Sequence, residues 1–389
     1  MKSYGRQILK KGKLDILCKQ KNWIINRIQY TVLSFFGRFP GHSRFARWFS
    51  RTVRKLIGGY IYSLKVEVNT SCTLECKMCY VKGPGIDLPY EAIVALLNQI
   101  KGYKIRLEIL GGEPLLRKDI GDIIGYAKKR AKVPFISLYT NGIWASPQLS
   151  ASLKNAGLDA AIVSLISHRE EVHDDFCGSP GAWEKTVTGI QNLKNANLNV
   201  YTFTAIHALN YRDYKEIYHF AKNELKVSAL FYQYIPLKKD DPLMIDPLEW
   251  RKIKHWLMYE KNREHADFVR KFYMISGNAC SGGNFVLTVK ADGSVQPCPF
   301  ISDIPLGNIY RQDIWAIFKK RFQKTALAEF KSVPKECRVC SYESICGGGC
   351  KAGNRELFGR YDRKDYRCPG PYSGPIKTEK VIDRVPTFF

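Results

Sequence analysis

Beyond residue 60 the chain alternates between short apolar runs and longer stretches whose apolar residues recur every three or four positions. The short runs predict strands at Ser63–Val68, Lys104–Leu110, Phe135–Tyr139, Ala160–Leu165, Asn199–Ala205 and Ala229–Tyr234. The longer stretches predict helices near Pro89–Ile100, Lys118–Ala131, Pro147–Ala156, Ala182–Ala196, Tyr211–Leu225 and Pro247–Tyr259. Strand–helix units repeated in series predict an α/β fold with a parallel barrel, complete or partial. Chemistry in such barrels sits on the loops that follow the strands, and the suspicious motifs of this chain all follow a predicted strand.

The pattern changes beyond Lys271. Phe285–Val289 and Ser294–Gln296 flank Lys290-Ala291-Asp292-Gly293, which predicts a hairpin. A helix is expected around Gln312–Phe330. The remainder is rich in Cys and Gly and poor in apolar periodicity, so metal clusters are expected to organise it. No repeat of the solenoid kind is visible.

A length of 389 residues leaves room for two domains with cores, and a hydrophobic fraction of 45% is that of a soluble globular protein. The formal net charge of +25 is unevenly placed, because residues 1–57 hold fourteen Lys and Arg against one acid, Asp15. The longest uncharged stretch there, Ile28–Gly37, is too short to span a bilayer and too polar for a signal-peptide core. Ile24, Ile28, Val32, Phe35 and Phe39 nevertheless recur at helical spacing beside Arg27, Arg38, Arg44 and Arg47. Such a basic amphipathic helix either packs on the folded domain or lies on an anionic membrane or partner surface. The expected compartment is the cytoplasm, with membrane association at its inner face as the alternative. Charge alone does not identify a polyanion, and nucleic acid is not an expected partner.

Ten of the twelve cysteines fall into two spaced groups. Cys72, Cys76 and Cys79 form a C-x3-C-x2-C triplet after the first strand. Cys280, Cys298, Cys337, Cys340, Cys346, Cys350 and Cys368 form the second group. Ligand-like spacing and the absence of a secretory signal favour metal binding in a reducing compartment over disulfides. Three thiolates leave one iron of a four-iron cluster open, whereas a structural site normally has four protein ligands. A zinc knuckle is the competing reading of the triplet, but no nearby residue completes its ligand set at usual spacing.

The triplet, Gly111-Gly112-Glu113-Pro114 after the second strand, and the order of the later cysteines resemble the radical SAM enzymes that carry a C-terminal SPASM domain. The resemblance runs from about residue 60 to 370. It implies a partial (β/α)6 TIM-type barrel over residues 58–270 and a Cys-rich auxiliary-cluster domain over 271–373, with an extension at 1–57 and a tail at 374–389. It also implies a 4Fe-4S cluster on Cys72, Cys76 and Cys79, with S-adenosylmethionine on the open iron. Reductive cleavage of that cofactor would give a 5′-deoxyadenosyl radical that takes hydrogen from a substrate. By the same resemblance Met78 leans toward the adenine, and Gly111, Gly112, Glu113 and Pro114 carry the contacts to the methionine amino group. Asn141 and Ser164 lie where relatives contact the ribose and the methionine carboxylate.

For the second group the resemblance implies two auxiliary 4Fe-4S clusters, one on Cys280, Cys298 and Cys350 and the other on Cys337, Cys340, Cys346 and Cys368. Zinc sites in a treble-clef-like knuckle are the alternative. No cysteine lies between Cys280 and Cys298, so the first auxiliary cluster is expected to have an open iron or a non-cysteine ligand. Cys18 and Cys177 are expected to be unligated.

Enzymes of this type mostly modify ribosomally made peptides, by crosslinking or oxidation among other reactions. The expected substrate is therefore such a peptide, with a lipid, lipid-linked or small-molecule metabolite as the alternative. A reducing partner such as flavodoxin or ferredoxin is implied. Sulfatase maturases carry an aspartate where Pro299 follows Cys298 here, so that activity is not expected. His168, His173 and Asp174 are candidates for proton transfer, although Asp174 and Asp175 also suit structural caps. A non-catalytic iron–sulfur carrier and an RNA-modifying protein are the readings from other classes; a carrier would not need a cofactor pocket.

Overall fold

The computed structural model describes residues 61–81, 84–257, 280–341, 343–368 and 370–373. The amphipathic stretch of residues 1–57, Cys18, the boundary at 270/271 and the tail 374–389 lie outside the described residues. Six strands, β1 (Ser63–Glu67), β2 (Arg106–Leu110), β3 (Ile136–Thr140), β4 (Ala160–Ser164), β5 (Asn199–Ile206) and β6 (Ser228–Gln233), pair in parallel in chain order. The helices between them are α1 (Tyr90–Gln99), α2 (Ile120–Lys129), α3 (Pro147–Ala156), α4 (Glu170–Cys177), α5 (Ala182–Asn195) and α6 (Tyr214–His219), and α7 (Pro247–His255) follows β6. The barrel is partial: among the described residues β6 ends the sheet, and β1 is extended by further strands instead of meeting it.

Local chemistry explains the element ends. Ser146 accepts from the Leu149 amide at 3.1 Å, Pro147 opens α3, and Gly157 at φ +106° closes it. Asp246 caps α7 through the Leu248 amide at 2.7 Å. Along β1 and β2, Leu64, Val66, Leu107 and Ile109 are buried in the main core with Ile93, Leu96 and Leu97 of α1 and Ile123 and Ile124 of α2. Each such side chain contributes roughly 1.5–3 kcal/mol through burial.

Three departures from the sequence pattern have physical causes. The expected helix over Tyr211–Leu225 starts as a tight turn at Tyr211–Asp213, continues as α6 and widens to a π-turn at Phe220–Glu224. The widened turn buries both Ala221 and Leu225 on the short approach to β6. The expected helix over Gln312–Phe330 divides into α8 (Ile314–Lys320) and α9 (Thr325–Lys331). Between them the buried Arg321 turns inward, donating to the carbonyls of Gly283 (2.6 Å) and Phe318. The third departure is α4 itself, on a segment where no helix is expected; it buries His173, Phe176 and Cys177 on one face.

The C-terminal region continues the barrel sheet. β7 (Val286–Val289) pairs in parallel with β1, and β8 (Ser294–Gln296) and β9 (Gly307–Asn308) follow antiparallel. Gly293 at φ +79° supplies the left-handed position of the β7–β8 turn. Leu287, Val289, Val295, Ile317, Leu327 and Phe330 join the same core as the barrel, so this region has more apolar support than its sequence suggests. Short helix α10 (Glu343–Cys346) ends in Cys346, Cys350 precedes α11 (Lys351–Phe358), and Cys368 lies beyond it. Tyr366 ties this end to the barrel by donating to the Tyr234 carbonyl at 2.9 Å.

One packing contact is open to direct test. A Cβ on Gly189 of α5 would stand 1.9 Å from the Gly142 carbonyl oxygen, beyond the end of β3. Gly189→Ala is expected to lower stability by about 1–3 kcal/mol, seen as a reduced thermal midpoint. An unchanged midpoint would contradict the close packing of α5 on that turn.

Candidate functional site

Cys72, Cys76 and Cys79 lie on the loop after β1, and backbone contacts brace this loop from two sides. On one side Gly112 N donates to Asn69 O at 2.9 Å and Glu113 N to Ser71 O at 2.7 Å. A Cβ on Gly112 would stand 2.3 Å from Ser71 O and 2.4 Å from Thr70 O, so this approach requires glycine. On the other side Glu75 N donates to Cys177 O and Lys77 N to Phe176 O, both at 3.0 Å. Lys77 also pairs with Asp175 at 2.7 Å, which places Asp175 in this brace.

The described cysteines form no disulfides. Desolvation, and after it the negative charge of Glu113, Cys76 and Cys79, raises the Cys72 thiol, so these groups are near neighbours. Cys76 shifts the other way, chiefly through hydrogen bonding with the neighbouring Cys177 thiol. Among the described residues no three His, Cys, Asp or Glu side chains converge closely enough for a single metal ion. A four-iron cluster, whose irons are ligated separately, uses thiols spread around it. The neighbouring thiols on one braced loop fit that kind of donor set.

Glu113 is fully buried and joins the ends of β2 and β3. Its carboxylate accepts from Leu115 N at 2.9 Å, Thr140 Oγ1 at 2.7 Å and Asn141 N at 2.7 Å. Burial outweighs these bonds and pushes its pKa up to about 7. Pro114 opens the tight turn Pro114–Leu116. Asn141 accepts from Ile143 N at 3.0 Å and directs its Nδ2 toward Cys72 Sγ at 3.9 Å. Ser164, half-buried, is the last residue of β4.

The barrel interior holds residues that sequence reasoning missed. Lys65 and Ser63 of β1 both donate to Glu108 of β2, and Tyr139 donates to the same carboxylate at 3.2 Å. Burial opposes ionisation of Glu108, but Lys65 holds its pKa below the usual value. Glu67 pairs with Lys290 of the β7–β8 turn at 2.7 Å. The Lys290 ammonium lies 5.1 Å from the Tyr80 ring centre, and Tyr80 packs on Phe300 at 4.5 Å. Tyr139, Phe203 and Tyr232 form an aromatic row, with Phe203 and Tyr232 stacked at 4.2 Å. Tyr232 closes the row by donating to Met78 Sδ at 3.3 Å, which brings Met78 to the interior. The available signal was charge at alternate positions of an apolar strand, Lys65 and Glu67 between Leu64, Val66 and Val68.

The seven later cysteines occupy two electrostatic neighbourhoods. Burial, and then the charges of Cys280 and Cys350, pushes Cys298 up to about 12. Cys337 is pushed up to about 11 by burial and then by Cys368 and Cys340. Burial, with Asp365, Cys368 and Cys337, pushes Cys346 up to about 12. Asp365 braces the turn between the groups by accepting from Cys350 N at 2.6 Å and pairing with Arg367 at 3.0 Å.

The proton-transfer candidates do not share one environment. His173 is buried and neutral, its pKa lowered to about 4 by desolvation, and its Nδ1 accepts from Ile166 N at 3.2 Å. Asp174 accepts from Gly181 N at 2.5 Å and Trp183 N at 2.7 Å, which bind it to the start of α5. His168 has a buried Nδ1 without a hydrogen-bond partner. Cys177 lies at the end of α4 against Cys76 and Met78, not on an isolated loop.

The family model of the Radical SAM superfamily matches residues 66–221, and that of an iron–sulfur cluster-binding domain, SPASM, matches residues 280–341. The chain is 24% identical over 334 residues to the AdoMet-dependent heme synthase of Methanosarcina barkeri, covering 78% of this chain and 94% of that protein. The structure of Streptococcus suis SuiB bound to S-adenosylmethionine matches with a TM-score of 0.65 at 15% identity, covering 82% of this chain and 81% of that one. Native anSMEcpe with bound AdoMet and Cp18Cys peptide matches with a TM-score of 0.65 at 18% identity, covering 82% and 95%.

The Glu113 environment gives a pH dependence of defined sign. Its folded pKa of about 7 lies above the unfolded carboxyl value, so its contribution to stability is complete below about pH 4.5 and is lost as pH rises toward 7. The loss amounts to about 3 kcal/mol. In the cluster-free, reduced chain, Glu113→Gln is expected to remove this part of the stability change between about pH 5 and 7. Urea unfolding at the two pH values measures it, and equal slopes for both proteins would refute the assignment.

Proposed function

Because the chain belongs to the radical SAM superfamily and carries a C-terminal SPASM domain, we propose that it takes hydrogen from a ribosomally made peptide and leaves it crosslinked or oxidised. It is an enzyme whose cofactors are 4Fe-4S clusters and S-adenosylmethionine. When bound, the first cluster and S-adenosylmethionine supply a 5′-deoxyadenosyl radical by one-electron cleavage of the sulfonium.

In this reading Cys72, Cys76 and Cys79 hold the first cluster, and the brace from Asn69–Ser71 and Phe176–Cys177 fixes the loop that carries them. Gly111, Gly112, Glu113, Pro114, Asn141, Ser164 and Met78 shape the adjoining cofactor site. Cys280, Cys298 and Cys350 serve the nearer auxiliary cluster, and Cys337, Cys340, Cys346 and Cys368 the other. The nearer one keeps an open iron or takes a non-cysteine ligand. Residues 58–270 form the catalytic unit and residues 271–373 the auxiliary-cluster unit. The paired charges of Lys65, Glu108, Glu67 and Lys290, with the aromatic row, orient the substrate and limit water around it. A flavodoxin- or ferredoxin-type donor supplies the electron.

The observation that carries the peptide reading is the open sheet, which among the described residues ends at β6 instead of closing into a full barrel. An extended chain can pass over such an edge and place one residue inside, whereas a closed barrel admits small molecules through its mouth. The peptide bound to anSMEcpe, a protein of similar fold, supports the same reading. A small-molecule metabolite, a tetrapyrrole in particular, is the second reading, supported by similarity over almost the whole length of a heme synthase.

Anaerobically reconstituted protein should contain about twelve irons per chain and release 5′-deoxyadenosine with dithionite and S-adenosylmethionine. Cys76→Ala should reduce that release to background; undiminished release would sink the mechanism. A precursor peptide encoded beside this chain should lose hydrogen, seen by mass spectrometry. An unchanged peptide, with turnover of an iron porphyrin instead, would transfer the assignment to the second reading.

A further inference from the structure

Lys351 has no part in the catalytic reading, although it directly follows a cluster cysteine and has only 2% of its surface exposed. We infer that Lys351 is the buried countercation of the auxiliary clusters and raises their reduction potential. The inference rests on the reading that the seven later cysteines hold those clusters.

Three contacts place the ammonium at the loop that the two groups of cysteines share. Lys351 Nζ donates to Ser332 O at 2.8 Å and to Tyr361 O at 3.3 Å. A Cβ built on Gly348 would stand 3.1 Å from the same nitrogen. Gly348 is midway between Cys346, assigned to one cluster, and Cys350, assigned to the other. Two residues of chain span about 7 Å at most, so the charge lies close to ligands of both clusters. Gly348 at φ +91° and Gly349 at φ +76° give the loop the curvature that turns it around the ammonium.

The charge balance calls for an anion beyond the carboxylates of the chain. An ammonium buried without a counterion is costly, and two carbonyls do not cancel its charge. Lys351 also opens α11, where the helix dipole favours anions over cations. Among the described residues it enters no ion pair, and four carboxylates of this region are held by other cations. Asp365 pairs with Arg367 at 3.0 Å, Asp362 with Arg360 at 2.5 Å, Asp303 with Arg355 at 2.8 Å and Glu336 with Arg363 at 3.5 Å. The anions left on the loop itself are the cysteine thiolates. A thiolate-ligated cluster gains negative charge when it is reduced, so a fixed cation beside it favours the reduced form. The electron comes from the external donor, and Lys351 keeps its proton throughout.

The test is an EPR-monitored redox titration of the fully reconstituted protein, following the cluster signals that do not change on addition of S-adenosylmethionine. Lys351→Met is expected to move at least one of their midpoints to a more negative potential. At a fixed potential this leaves about tenfold less cluster reduced relative to oxidised, or about 59 mV for a one-electron couple. Lys351→Gln, which keeps N–H donors without the charge, should shift as Lys351→Met does, and Lys351→Arg should hold the unmodified midpoint. Unmoved midpoints in both neutral variants at full iron content overturn the inference. An equal shift in Lys351→Arg also overturns it, since that would mark a loss of packing. Should the neutral variants fail to retain iron, retention by Lys351→Arg upholds the need for a cation, and loss from all three overturns it. About four irons in the unmodified protein would fail the auxiliary-cluster reading itself, whereas about twelve with unmoved midpoints fails only the role of Lys351.

Discussion

The cysteine loop lacks regular secondary structure, so the placement of its three thiols depends on backbone hydrogen bonds borrowed from its neighbours. Asn69 and Ser71 offer carbonyls to the Gly112–Glu113 turn, and Glu75 and Lys77 offer amides to the end of α4. Each bond is modest alone, but together they fix both flanks of Cys76 and orient the first and third cysteines around it. The glycine at 112 follows from the first brace, and the short helix α4 from the second. The placement of Glu113 also follows, because the turn that meets Ser71 delivers its carboxylate to Thr140 and Asn141.

Inside the barrel the balance is between burial and charge. Glu108 and Glu67 would be costly to ionise alone in such a setting, and each has a lysine against it. Glu113 has no cation and its proton affinity rises; burial also raises that of Glu67, against the pull of Lys290, while Lys65 lowers that of Glu108. The same interior thus has one acid, Glu108, that its lysine favours in the charged form and a solitary acid, Glu113, whose burial favours the proton. Two of the cations come from different parts of the chain, Lys65 from β1 and Lys290 from the turn after β7. The interior is complete only when the C-terminal region is docked.

Much of this was legible in the sequence because it depends on local pattern. Alternation and helical spacing gave the six strands and most helices to within a few residues, and the glycines at 111 and 112 announced a close backbone approach. Contacts between distant segments were not legible. α4 was hidden by its charged run, Glu170-Glu171 and Asp174-Asp175, although His173, Phe176 and Cys177 have the spacing of a buried helix face. The meeting of Cys177 with Cys76 joins the helix after β4 to the loop after β1, and no single-chain periodicity encodes that. His173 and Asp174 looked reactive by residue type, whereas their hydrogen bonds to Ile166, Gly181 and Trp183 give them structural work. The shared core of barrel and C-terminal region was missed because its apolar residues are scattered among turns.

The pairing of β7 with β1 makes the C-terminal region part of the protein's solubility as well as its chemistry. Removing that region would bare the backbone edge of β1 from Ser63 to Val66, a row of unsatisfied donors and acceptors. Such an edge invites pairing with another chain. A shortened form would then be a source of aggregates instead of a simpler enzyme, and gain or loss of the auxiliary segment could not proceed as a neutral step. The two regions, whatever their separate origins, are bound to one fate.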